Sequence, residues 1–145
     1  MFQLETFVDC REEIGTLLDA YNEESGATGW GPELDVETYA RLEQLDLLHI
    51  LTAREQGKLV GFAVMMIGPD LGYRGRKLAV VNLLFLHPDY RKGIVGRKMI
   101  EAVEDTMRVL GADRVALATR PQPDLSPLYE RMGYQRLETN YAKVL

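Results

Sequence analysis

At 145 residues, with 46% apolar and 27% charged residues, the chain is the size of one domain, 1–145, and long enough to bury a real core. A net charge of −5 argues against general nucleic-acid binding, because phosphate backbones attract basic surfaces. Cys10 is the only cysteine, which excludes an intramolecular disulfide and fits a reducing cytoplasm. The stretch Met1–Glu5 lacks the basic-then-apolar pattern of a secretory signal. No apolar run is long enough to span a bilayer.

In chain order, Phe2 to Phe7 reads as a short first strand. Asp9 caps the helix that follows, with Glu12 and Glu13 in its first turn, the end that favours acids. Ile14, Leu17, Leu18 and Tyr21 recur at helical spacing and form its inner face. Gly26 to Pro32 is a loop, in which Trp30 either lids a cleft or packs the loop onto the body. Asp35 or Thr38 starts a second helix carrying Leu42 and Leu45. His49–Arg54 and Leu59–Ile67 read as strands joined by a Gln56-Gly57 turn. The second of these is almost wholly apolar, which places it centrally with both faces covered. Leu78–Leu86 is another apolar strand, stopped by Pro88, which cannot donate to a ladder.

Val95, Met99, Val103, Met107 and Leu110 form the apolar stripe of the main helix, which Gly111 ends. Arg114–Thr119 reads as a further strand. Ser126-Pro127 opens a short helix ended by Gly133, with Pro127 suited to its first position. Tyr134–Leu137 and Tyr141–Leu145 are expected as a closing pair of strands.

The most telling stretch joins the strand ending at Leu86 to the main helix: His87-Pro88-Asp89-Tyr90-Arg91-Lys92-Gly93-Ile94-Val95-Gly96-Arg97-Lys98. The first N–H groups of a helix have no intrahelical partner, and the helix dipole adds partial positive charge there. Gly93 and Gly96 permit close approach to the backbone, and Arg91, Lys92, Arg97 and Lys98 add full charges. Such a junction suits a pyrophosphate held mainly by main chain. It is neither a G-x-G-x-x-G dinucleotide fingerprint nor a Walker A loop, since neither spacing occurs.

The segment Arg91-Lys92-Gly93-Ile94-Val95-Gly96 resembles the acetyl-coenzyme A loop of the GNAT N-acetyltransferase superfamily, [QR]-x-x-G-x-[GA]. The first and last positions match, and Ile94 stands where a middle glycine is usual. The element order resembles the GNAT fold from end to end. The resemblance implies an α/β (α+β) architecture, a mixed, mostly antiparallel sheet of about seven strands flanked by about four helices. Leu48–Arg54, Tyr90–Gly93 and Leu125–Tyr134 look like GNAT proteins of the bacteriophage and prophage type.

The resemblance implies an acetyl-coenzyme A-dependent enzyme with an amine acceptor of open class, and dimers are frequent among such proteins. Arg91 to Lys98 would bind the pyrophosphate, and the backbone at Leu84, Phe85 and Leu86 would pair with the pantetheine arm. Tyr129 precedes Glu130-Arg131-Met132-Gly133-Tyr134, where the family places a tyrosine beside the coenzyme sulfur; a neutral phenol can donate a proton to a thiolate. Its plainer role is packing a short helix.

Asn82 stands where many GNAT enzymes carry a basic glutamate; asparagine can orient a water but cannot take a proton at neutral pH. Glu24, at the end of the first helix, is the substitute base or simply a solvated acid. Asp70, Tyr73 and Arg74 lie in the loop before the Leu78–Leu86 strand. The resemblance implies that this loop borders the acceptor site, where they would bind a polar or anionic acceptor or simply be polar loop residues. His49 reads as structural, and His87 has no assigned role. No metal-ligand spacing occurs, and acetyl transfer needs none. Two rivals remain: a coenzyme A-binding module with weak turnover, and a nucleotide-binding regulator using the same basic turn.

Overall fold

The computed structural model describes residues 1–25 and 33–145. The expectations for the Gly26–Pro32 loop and for Trp30 lie outside the described residues.

The elements run β1 (Phe2–Glu5), α1 (Phe7–Ser25), α2 (Val36–Gln44), β2 (Leu48–Glu55), β3 (Lys58–Pro69), β4 (Lys77–Leu86), α3 (Val95–Val109), β5 (Arg114–Ala116) and α4 (Ser126–Arg131). The five strands form one sheet in sequence order. β1 to β4 pair antiparallel, and β5 joins β4 in parallel. The sheet is therefore mixed and mostly antiparallel, as expected, with five strands among the described residues in place of about seven.

Local chemistry explains the boundaries. α1 starts at Phe7, three residues earlier than the Asp9 cap implied, and β1 ends at Glu5. The Thr6 hydroxyl donates to the Asp9 carboxylate, and the Asp9 N–H reaches the Thr6 carbonyl at 3.1 Å, closing the first turn. Phe7 is buried, with its ring 4.8 Å from that of Tyr39. Asp35 caps α2, accepting the Thr38 N–H at 3.0 Å. Leu45, expected within that helix, is its C-cap and is exposed. The β2–β3 hairpin turns through Gln56 and Gly57, both at positive φ (50° and 81°). That pair of left-handed residues gives the twist a two-residue hairpin needs.

Helices cover both faces of the sheet. On one, Met99, Val103 and Met107 of α3 pack on Leu51, Ala63, Met65 and Val81. On the other, Phe7, Cys10, Ile14 and Leu18 of α1 pack on Ile50, Phe62, Val64 and Phe85. Each large apolar side chain so buried contributes about 1.5–3 kcal/mol relative to exposure.

The expected closing strands are absent. Residues 134–145 form no ladder, and Leu137, Tyr141, Val144 and Leu145 face solvent. A strand needs a paired edge and a buried face, and this segment's apolar residues find neither. Tyr134 is nonetheless anchored, its hydroxyl donating to Glu104 Oε1 at 2.8 Å.

Candidate active site

The site originates in β4. Against β3, Val81 lies opposite Met65 and Leu83 opposite Val64, so Asn82 is the extra residue of a β-bulge. A bulge shifts the side-chain alternation by one. Ala79 and Val81 pack on the α3 side, and after the bulge Leu84 and Leu86 do so, while Leu83 and Phe85 turn to α1. On its other edge β4 pairs with β5 only from Leu78 to Val80. Beyond that point the strands part, which is why β5 ends at Ala116 and not at the expected Thr119. From Val81 onward the β4 edge opens onto a cavity of about 410 Å³, completed by α3, α4, the chain after β5, and Tyr21 and Glu24 of α1.

Leu84, Phe85 and Leu86 all line this cavity. Their other edge lies on Ala63, Phe62 and Gly61 of β3. Gly61 is required there: a Cβ on it would stand 2.7 Å from the Phe85 carbonyl oxygen. Asn82 is exposed and faces the cavity.

The basic junction divides in two. Arg91, Gly93, Gly96 and Arg97 line the cavity; Lys92, Ile94, Val95 and Lys98 are not among its lining residues. Arg91 is held on three sides. Its Nε donates to the Leu86 carbonyl at 2.6 Å, its Nη2 to Glu24 Oε2 at 2.6 Å, and its guanidinium lies 5.5 Å from the Phe85 ring centroid. Gly93 adopts φ +62°, a conformation costly for other residues. Ile94 caps α3 without a side-chain hydrogen bond and is largely exposed. The first intrahelical bond runs from the Lys98 N–H to the Ile94 carbonyl at 2.9 Å. The N–H groups before it are therefore available to a ligand. A Cβ at Gly96 would meet nothing within 4 Å, so the backbone there borders open space. Val95 packs inward on the core, and Lys92 and Lys98 are exposed. Arg97 pairs with Glu101 at 2.8 Å, one turn along α3.

Tyr129, on α4, is 7% exposed, and its hydroxyl donates to the Ala118 carbonyl at 3.0 Å. Burial pushes its phenol up to about 12. Cys10 is fully buried under α1 and its thiol is likewise pushed up to about 12 by burial, which leaves it an inert core residue. His49 contacts the Asp46 carbonyl at 3.1 Å, and the His87 ring accepts the Asp89 N–H at 3.3 Å.

The expected acceptor loop sits elsewhere. Asp70 is buried and accepts from Arg114 Nε at 2.7 Å, while the Arg114 guanidinium lies 5.1 Å from the Tyr73 ring centroid. This cluster is at the start of β4 and β5, where they are paired, and Asp70, Tyr73 and Arg74 are not among the cavity's lining residues. Sequence reasoning missed Tyr21 and Arg120 as cavity residues. Tyr21 fitted an apolar helix stripe, and Arg120 carried no motif.

A family model described as the acetyltransferase (GNAT) family matches residues 13–134. The chain belongs to that family. A curated relative named an IAA acetyltransferase, from Azospirillum brasilense, is 30% identical over 102 residues, covering 70% of this chain. The match spans 61% of that relative's length. Among solved structures, a ribosomal-protein-alanine N-acetyltransferase from Brucella melitensis biovar Abortus 2308 superposes with a TM-score of 0.77 at 22% identity, over 100% of this chain and 98% of the other. An aminoglycoside N-acetyltransferase solved in complex with CoA gives 0.71 at 19% identity, over the whole of both chains. GNAT enzymes use acetyl-coenzyme A. Among the described residues no helix is long and apolar enough to cross a membrane, and no cluster of three or more His, Cys, Asp or Glu residues is placed to hold a metal ion.

Proposed function

We propose that the protein is a cytoplasmic N-acetyltransferase that moves the acetyl group of acetyl-coenzyme A to a primary amine by direct attack in a ternary complex. One observation carries the reading: the unpaired edge of β4 and the uncapped start of α3 open onto the same cavity. The residues present fit the coenzyme. Free N–H groups and open space at Gly96 suit a pyrophosphate, and Arg97 adds charge beside it. The edge at Leu84–Leu86 offers backbone donors and acceptors to an amide-bearing arm, in the manner of strand addition.

In the chemical step the neutral amine attacks the thioester carbonyl, and the negative charge developing on oxygen needs a donor, which a β4 N–H can supply. The thiolate leaves and takes a proton. Tyr129 is the donor in this account, and its hydroxyl must turn from the Ala118 carbonyl to give that proton. Asn82, at the bulge, orients water that accepts the amine's proton. Glu24, already paired with Arg91, acts as an electrostatic contact for the acceptor and not as the base. The prophage-type pattern around Tyr90–Gly93 and Leu125–Tyr134 leaves the acceptor class broad.

Asn82 also favours a second reading, a coenzyme A-binding module of weak turnover, because the bulge presents no carboxylate. Incubation with acetyl-coenzyme A and a broad amine panel separates the two. The enzyme reading expects free thiol released in proportion to acetylated amine, at a rate that rises with pH and tracks the acceptor's own pKa. Coenzyme A binding with no release across the panel would leave the module.

A further inference from the structure

Resting on that reading, we propose that the acceptor is a small amine that also carries a carboxylate, and that Arg120 holds this carboxylate. Arg120 lines the cavity and is half-buried. Its guanidinium lies 4.3 Å from the Tyr21 ring centroid and donates to the Tyr21 hydroxyl. Among the described residues no carboxylate lies within ion-pair distance of it.

The other cavity cations are accommodated. Arg91 is paired with Glu24 and Arg97 with Glu101. Arg131 is exposed in the last turn of α4, where water and the helix dipole accept its charge. Glu24 is the one acidic side chain among the lining residues, against four arginines. The segment 26–32, Gly-Ala-Thr-Gly-Trp-Gly-Pro, contains no charged residue and so supplies no counter-ion from its sequence. Asp124, close by in sequence, commits its carboxylate to the Ser126 N–H at 2.9 Å.

Pairing, and not position alone, separates Arg120 from Arg91. Tyr21, which carries Arg120, meets Phe85 edge-on at 6.2 Å, and Arg91 reaches the same Phe85 ring. Arg91, however, is already held by Glu24 and the Leu86 carbonyl, which leaves Arg120 the one of the two open to an acceptor. Arg120 is two residues beyond Ala118, whose carbonyl receives the Tyr129 hydroxyl. A carboxylate on Arg120 thus lies close to the amine's point of attack, as a small acceptor requires. The guanidinium fork matches a carboxylate with two parallel bonds. A polycationic acceptor meets an excess of like charge in the same cavity.

The test uses N-acetyl-leucine and N-acetyl-leucinamide, product-like probes that differ in the carboxylate. Both are titrated by calorimetry into wild type, Arg120→Gln and Arg120→Lys, with and without coenzyme A, and coenzyme A binding is read in parallel by thermal shift. In wild type the acid should bind roughly tenfold to a hundredfold tighter than the amide, the range of a charge-assisted hydrogen-bonded pair. Arg120→Gln should erase the difference, Arg120→Lys should retain part of it, and coenzyme A affinity should hold in both. Equal affinity for the probes in wild type, failure of the acid to bind, a preference that survives in Arg120→Gln, or loss of coenzyme A affinity in that variant would each overturn the proposal. Absence of any coenzyme A shift in wild type would defeat the acetyltransferase reading instead; the titration into coenzyme-free protein then decides Arg120 by itself.

Discussion

Replacing Tyr129 by Phe removes one hydroxyl and leaves the ring packed 5.8 Å from Tyr134. The bond lost is the one to the Ala118 carbonyl at 3.0 Å. Ala118 is exposed, so water can replace the phenol at that carbonyl. The stability cost is then that of a single hydrogen bond, about 0.5–1.5 kcal/mol. Turnover should fall further, by about tenfold to a thousandfold, within or just below the usual range for a positioned acid. That corresponds to about 1.4–4 kcal/mol of transition-state stabilisation. Since burial raises the phenol to about 12, it keeps its proton through the neutral and mildly alkaline range, and the wild-type rate should show no alkaline fall from this group until pH nears that value. Single-turnover thiol release, paired with urea denaturation, measures both quantities. An unchanged rate under conditions where chemistry is limiting would refute the assignment. A large loss of stability with the rate of the folded fraction intact would make Tyr129 a packing residue.

Gly61→Ala should cost about 1–3 kcal/mol in denaturant unfolding, because its Cβ would meet the Phe85 carbonyl at 2.7 Å and backbone must move; a neutral result would mean that β3 and β4 can separate freely at the cavity wall. Glu5, held by Arg54 at 2.8 Å and by Thr52, has its carboxyl lowered from 4.5 to about 2, with the Arg54 hydrogen bond the largest cause. The folded form binds that proton less readily than the unfolded chain, so its stabilisation is present above about pH 4.5 and is lost as pH falls through about 2. Glu5→Gln should flatten this acid limb, by no more than about 2 kcal/mol given the partly solvated pair, and an unaltered limb would count against it. Glu24→Gln should raise the acceptor KM and leave kcat within a few-fold; loss of most turnover with acceptor binding intact would make Glu24 the base.

Much of the fold was legible because it rests on periodicity. The stripe of Met99, Val103 and Met107, the apolar runs of β3 and β4, and the Gln56-Gly57 turn are local signals, and each sits where that signal put it. The closing strands were not legible. Tyr134–Leu137 and Tyr141–Leu145 have strand-like composition, but a ladder depends on a partner edge, and β5 offers three residues. The glycines and charges of the Arg91–Lys98 loop drew attention to it in the sequence, and the structure brings Arg91, Gly93, Gly96 and Arg97 to the cavity but not Lys92, Ile94, Val95 or Lys98. The parting of β4 and β5 was not, although a polar Asn82 inside an apolar strand was its trace. Asp70 and Tyr73 looked suited to a ligand from the sequence, whereas the structure commits both to Arg114. Arg120 carried no local signal, because its isolation from carboxylates exists only once α1 and the chain after β5 meet.

The most direct test of the account is calorimetric titration of coenzyme A into wild type and Gly96→Glu. A side chain at residue 96 enters open space and a glutamate is tolerated in a first helical turn, so the variant should fold normally. The same glutamate puts bulk and negative charge where the pyrophosphate would lie. Coenzyme A should bind and stabilise the wild type, and the folded variant should lose that binding. Equal affinity in the two proteins, or no binding to wild type, would contradict the coenzyme assignment.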